Sequence, residues 1–129
     1  MSLWRRINEI LDVNSKHRAY GHERESPRFD TGLVVSFDGE SAAAETRGNV
    51  GIGGFCFHSE RDARCGQVVD LLVDLEGMGE WVLVRGEVLG RIRLGGGRSG
   101  LRGRFTRIAF DDERRLARWL DRRANRAAA

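Results

Sequence analysis

The stretch TGLVVSFDG, residues 31 to 39, decides the class of fold. Leu33, Val35 and Phe37 alternate with Val34, Ser36 and Asp38, the period of two that sorts a strand's side chains onto opposite faces. Asp38-Gly39 then supplies a turn pair. The rhythm continues outward from there. Residues 42 to 48 return as a second strand, and GGFCFHS, 53 to 59, sets Phe55 and Phe57 against Cys56 and His58. After the loop ERDARCG, residues 67 to 75 (QVVDLLVDL) form a fourth strand. EGMGE turns the chain into WVLVRGEVLGRIRL, 81 to 94, whose β-branched content favours a strand. Beyond GGGRSG, the segment LRGRFTRIAF, 101 to 110, carries Leu101, Phe105, Ile108 and Phe110. Six strands joined by Gly-rich turns predict a small antiparallel barrel or sandwich.

Helical periodicity is confined to the two ends. Residues 2 to 14 place Leu3, Trp4, Ile7, Ile10 and Leu11 on one stripe, with Ser2 able to cap the start. The last 19 residues, DDERRLARWLDRRANRAAA, offer Asp111 or Asp112 as a cap, acids in the first turn, arginines in the last, and a seam of Leu116, Trp119 and Leu120. The expected division is an N-terminal amphipathic helix and linker over 1 to 20, a β-domain over 21 to 110, and a C-terminal helix with a frayed tail over 111 to 129.

The 129 residues, 40% hydrophobic and 32% charged, suit one globular domain with its own core. No apolar run approaches the roughly 18 residues of a membrane span, and MSLWRRINEILD lacks a signal-peptide core, so a cytosolic protein is expected. In that compartment Cys56 and Cys65 read as reduced thiols. Charge is uneven: residues 85 to 129 hold 13 of the 22 basic side chains but only 5 of the 19 acidic ones.

Two constellations carry chemistry. ERESPRFD, 23 to 30, spaces Arg24 and Arg28 four apart around Pro27, the one proline in the chain. Proline excludes a helix here and biases Ser26 to an extended conformation, so the pair lies on a loop. Its Cα atoms are then at most about 13 Å apart, at ~3.3 Å per residue, a span suited to a ligand with more than one anionic or guanine-like group. Glu23, Glu25 and Asp30 leave open a merely solvated linker. RGNVGIGGFCF, 47 to 57, gathers Gly48, Gly51, Gly53 and Gly54 around Asn49. Such density permits a left-handed turn or close approach to the backbone, and Asn49 suits a turn; a ligand-free hairpin is the alternative.

Together these stretches resemble the PilZ family, bacterial domains that bind cyclic di-GMP. The family has RxxxR before its first barrel strand and, about twenty residues on, a turn of pattern D/N-x-S-x-x-G. RESPR supplies Arg24 and Arg28; NVGIGG supplies Asn49 and Gly54. VRGEVLGRI resembles the penultimate strand and LRGRFTRI the usual xxGxxF ending, so the likeness covers roughly residues 22 to 124. It implies a six-stranded antiparallel Greek-key β-barrel, an all-β core with an N-terminal and a C-terminal helix. It implies cyclic di-GMP as the ligand, bound by Arg24, Arg28, Asn49, Gly51 and Gly54, with no cofactor or metal and with a protein effector as partner. Gly51 stands where the family has serine, whose hydroxyl is worth about 0.5–1.5 kcal/mol, so the arginines carry the larger share.

Other readings compete. His17, His22 and His58 form no catalytic spacing, the glycine turn lacks the Gly-Lys-Ser/Thr of a phosphate-binding loop, and Cys56, His58 and Cys65 lack a fourth metal ligand, so no enzyme is expected. Arg85, Arg91, Arg93, Arg98, Arg102, Arg104 and Arg107 share the last hairpin with Glu87, as a nucleic-acid-binding barrel would have it. Only Trp81 and Phe105 are at hand for base stacking, which places nucleic acid below cyclic di-GMP. A PilZ-fold interaction module with weak or no nucleotide binding is the remaining alternative. Either terminal helix can dock a partner or pair with a second copy in a homodimer.

Overall fold

The computed structural model describes residues 27 to 128. The helix expected over 2 to 14, and Arg24, lie outside the described residues. Six strands, β1 (Phe29–Phe37), β2 (Ala43–Val50), β3 (Gly54–His58), β4 (Val68–Leu75), β5 (Glu80–Arg93) and β6 (Ser99–Ile108), precede one helix, α1 (Phe110–Ala128). The strands close into an antiparallel barrel in the order β1-β2-β3-β6-β5-β4. Two meanders, β1 to β3 and β4 to β6, are joined by the connection from β3 to β4. This sets β3 beside β6 instead of β4, the Greek-key arrangement. The all-β, six-stranded barrel with a C-terminal helix is therefore as expected.

Alternation explains the interior. Leu33, Val35 and Phe37 of β1, Phe55 and Phe57 of β3, Val69, Leu71, Val73 and Leu75 of β4, Val82, Val84 and Val88 of β5, and Leu101, Phe105 and Ile108 of β6 are all buried. Gly39, with φ near +83°, makes the first hairpin, and the Glu40 N–H donates back to the Phe37 carbonyl at 3.0 Å. Two expectations shift. β1 begins at Phe29 and β2 runs on to Val50, because Phe29 pairs with Val50 and Asp30 with Asn49. At the helix start, the Ala109 carbonyl accepts from the Glu113 N–H at 2.8 Å, so Asp111 and Asp112 sit inside the first turn. There they still favour the positive end of the helix dipole, and Asp112 pairs with Arg115.

Helix α1 closes on the barrel through Leu116, Trp119 and Leu120. The Trp119 Nε1–H donates to the Glu76 carbonyl at 3.0 Å, and its ring meets Phe29 edge-on at 6.5 Å. Glu76 also knits the strands below: its Oε1 accepts from Arg47 (2.8 Å), the Gly32 N–H (3.1 Å) and the Thr31 hydroxyl (3.2 Å). Burial opposes its charge, but these donors, Arg47 foremost, outweigh it and hold the carboxyl below its ordinary range. Thr31, the one buried polar residue in the described core, also points its hydroxyl at the Asp74 carbonyl, so its single donor proton is shared between two acceptors.

Candidate functional site

Outward-facing residues of four adjacent strands form a row. In register, Asp30 of β1 stands across from Asn49 of β2, Asn49 across from Cys56 of β3, and Cys56 across from Arg102 of β6. Two residues nearer the start of β3, on the same face, Gly54 pairs with Arg104. Arg28 reaches this row from the segment before β1, and its Nη1 donates to the Cys56 Sγ at 3.1 Å. Its guanidinium therefore lies over Cys56, with Asn49 on one side and Arg102 on the other.

The glycines do not make the left-handed turn that their density permits. None of Gly51, Gly53 and Gly54 has a positive φ. The turn is tight, with the Gly51 N–H donating to the Gly54 carbonyl at 3.0 Å and the Phe105 N–H to the Gly53 carbonyl at 3.1 Å. What matters is the missing Cβ. A Cβ at Gly51 would stand 3.0 Å from Arg28 Cγ and 3.2 Å from the Pro27 carbonyl oxygen. One at Gly54 would stand 2.7 Å from the Gly103 carbonyl oxygen and 3.3 Å from Arg28 Nη2. The bare backbone of the turn is a seat for the Arg28 side chain.

Asn49 is corrected from a turn residue to a strand residue, since Asp30 and Cys56 pair with it on either side. It still points into the row, and its Oδ1 is buried with no hydrogen-bond partner among the described residues. An unpaired buried acceptor is costly, and it marks where a donor is wanted. Beside it a broader concavity of about 380 Å³ is lined by Asp30, Asn49, His58, Leu94 and Arg98 among others.

On the Arg28 side the cleft is small, about 80 Å³, bounded by Arg28, the turn from Gly51 to Gly54, Leu89, Arg102, Gly103 and Arg104. Nucleotide-sized ligands need several hundred Å³, so the cleft as it stands has space only for a small group, and a larger ligand would have to displace the exposed Arg28 side chain. Leu89 reaches it because β5 bulges there: Val88 faces Gly103 while Gly90 faces Arg102, leaving Leu89 as the extra residue. Burial pushes the Cys56 thiol above its ordinary value; the charges of Arg28 and Arg102 and the Arg28 hydrogen bond pull the other way without prevailing. A neutral thiol thus underlies two guanidinium groups.

The structure brings Arg28, Asn49, Gly51 and Gly54 to one surface. It adds Arg102, Arg104 and Leu89, which sequence reasoning had left in an undivided basic hairpin. Only the outward parity of Arg102 and Arg104, against inward Leu101, Gly103 and Phe105, hinted at them. Phe105, a stacking candidate for nucleic acid, is buried in the core; Trp81 is exposed on β5, away from the row. Cys56 and Cys65 are free thiols, and among the described residues no three His, Cys, Asp or Glu side chains converge as a metal site. No described helix is long and apolar enough to cross a membrane.

The seat of Arg28 can be checked chemically. Gly51→Ser, made in a Cys65→Ser background, is expected to raise severalfold the rate at which Cys56 reacts with a small thiol reagent. The new Cβ displaces the flexible Arg28 stem that covers the sulfur. An unchanged rate would place the Arg28 stem elsewhere.

Among the solved structures similar to the chain are three PilZ-fold or motility-related proteins. The Bacillus subtilis inhibitor of motility MotI/DgrA gives a TM-score of 0.66 at 19% identity, covering 80% of this chain and 52% of that one, so the chain spans about half the length of that protein. A tetrameric PilZ domain protein from Xanthomonas campestris, described as self-assembled through a helical bundle, gives 0.58 at 13% identity, covering 88% and 97%. The PilZ domain of CeSA from a cellulose-synthesizing bacterium gives 0.53 at 17%, covering 74% and 95%. At these identities the likeness is one of fold. No curated protein sequence matches the chain. Residues 21 to 122, however, match the family model described as PilZ domain, which is most of the chain and runs from the RxxxR segment into α1. The chain belongs to the PilZ domain family.

Proposed function

We propose that the chain is a non-enzymatic receptor for cyclic di-GMP that passes the bound state on to a protein partner. The observation that carries this reading is the position of Arg28, aimed over a glycine-floored turn beside an unpaired Asn49 acceptor. Cyclic di-GMP is a dianion with two purine faces. Guanidinium groups pair with phosphate through two parallel charge-assisted bonds and stack on rings, and a guanine edge offers the N–H donors that Asn49 Oδ1 wants. In this reading Arg24 and Arg28 close over the phosphates and guanine faces, while Asn49, Gly51 and Gly54 hold a base against the barrel.

A route outward is available. Ile52, at the tip of the turn, borders both the Arg28 cleft and a small apolar groove against Leu116, Ala117 and Leu120 of α1. A ligand that lifts Arg28 and shifts the turn changes what Ile52 presents to the helix, and so the surface offered to a partner. Residues 21 to 110 are then the ligand-binding unit, and residues 1 to 20 and 111 to 129 the segments that respond.

Calorimetric titration of the whole chain with cyclic di-GMP tests the reading: saturable binding that survives physiological salt and is not matched by GMP supports it. Absence of binding would return the domain to the class of PilZ-fold interaction modules. Binding of DNA or RNA that collapses steeply with salt would point to the basic hairpin instead.

A further inference from the structure

The arginines of the last hairpin are not equivalent. Arg85 is held by Asp70, with Nε 2.9 Å from Oδ1, and Arg104 is paired to Glu87. Arg91 is engaged by the Ser59 carbonyl at 3.2 Å and by Ser99 and the Arg61 carbonyl. Arg102 differs from these. It is exposed, makes no ion pair with any described residue, and stands directly across from Cys56 in the β3–β6 ladder. On its other side its strand partner is Gly90, where even a Cβ would meet nothing within 4 Å. The Arg102 side chain thus has an open flank on β5 and Arg28 ahead of it across one thiol.

Two guanidinium groups that bound one cleft, with no carboxylate among its described lining residues, repel each other. Solvated surface arginines usually avoid that, or find an acid as Arg85 and Arg104 do. The arrangement is relieved by an anion set between them. The cleft offers room for one, bounded by both arginines and floored by the Gly51 to Gly54 backbone and Gly103.

We infer that Arg102 is a ligand-binding residue of this site: with Arg28 it grips one phosphodiester of the bound cyclic dinucleotide from the β6 wall. The inference rests on the reading of the site given above and extends it beyond the two motifs. Arg104 stands beside it but is occupied by Glu87, so Arg102 is the group free to act. The arginine-rich hairpin is then a surface of mixed duties, with one member turned to the nucleotide.

The test compares Arg102→Gln with Arg93→Gln by calorimetry with cyclic di-GMP at physiological salt. Arg93 is an exposed arginine of the same hairpin, three residues beyond Gly90, and lies outside the cleft. At ~3.3 Å per residue that is about 10 Å, beyond the roughly 8 Å screening length. Arg102→Gln is expected to weaken binding about ten- to a hundredfold, as for a charge-assisted bond, with Arg93→Gln unchanged. Wild-type affinity in Arg102→Gln would overturn the inference and leave the receptor reading standing. Equal losses in both variants would show a general field in place of a contact and overturn it too. A wild-type chain that takes up no cyclic di-GMP overturns both.

Discussion

Arg28→Asp is expected to leave no measurable binding of cyclic di-GMP while the domain stays folded. Two effects act in the same direction. The substitution removes a fork able to make two charge-assisted bonds to one phosphate, each worth about 1.5–3 kcal/mol. It also sets a carboxylate against a dianion. A combined loss above about 4 kcal/mol is roughly a thousandfold in affinity. The fold tolerates the change because Arg28 is exposed and contributes one side-chain hydrogen bond, to a sulfur acceptor. Calorimetry alongside a melting curve checks both halves. Retention of wild-type affinity would sink the assignment of the site.

The largest effect on stability should come from the ring under the site. Phe55→Ala is expected to cost about 3–5 kcal/mol, a large part of a typical domain's 5–15 kcal/mol. Phe55 is fully buried, stacked on Phe57 at 5.9 Å between ring centroids and on Phe105 at 5.6 Å. Its ring also occupies space that two glycines leave free: a Cβ at Gly86 would come within 2.5 Å of Phe55 Cε1, and one at Gly103 within 2.7 Å of Cε2. Neither glycine has a side chain of its own to move into the void, which favours the upper end of the range. Denaturant unfolding reads the loss as a lowered midpoint; a change below about 1 kcal/mol would mean the ring is not the core's keystone.

Much of this was readable from residue order, and for a definite reason. A barrel strand buries one face and wets the other, so Leu33, Val35 and Phe37, or Val69, Leu71, Val73 and Leu75, advertise their parity without any knowledge of their partners. The weaker strand shows the converse. β2 has Val50 as its only buried residue, so alternation was faint and its end was placed two residues early. That error carried Asn49 into the turn. Pairing with β1 and β3 overrode its turn propensity.

For the glycine-rich stretch the sequence left two reasons open, a left-handed turn or close approach to the backbone, and at Gly51 and Gly54 it is close approach that operates. Composition cannot distinguish a glycine needed for positive φ from one needed for space. Gly39 and Gly77 are of the first kind, Gly51, Gly54, Gly86 and Gly103 of the second.

Local pattern thus specified six strands of a small antiparallel barrel or sandwich and a closing helix. The choice of a barrel, and of Arg28 and residues 49 to 54 as the place to seek a nucleotide, came from the likeness to the PilZ family. Strand and helix patterns are statements about neighbours in the chain, which short-range periodicity and backbone chemistry encode. The partnership of Arg102 with Arg28 is of another kind. Residues 28, 56 and 102 meet only because the barrel closes with β3 against β6, and an outward arginine on a strand reads the same in sequence whether it faces water or a cleft. Register, set by packing the whole interior at once, decides which.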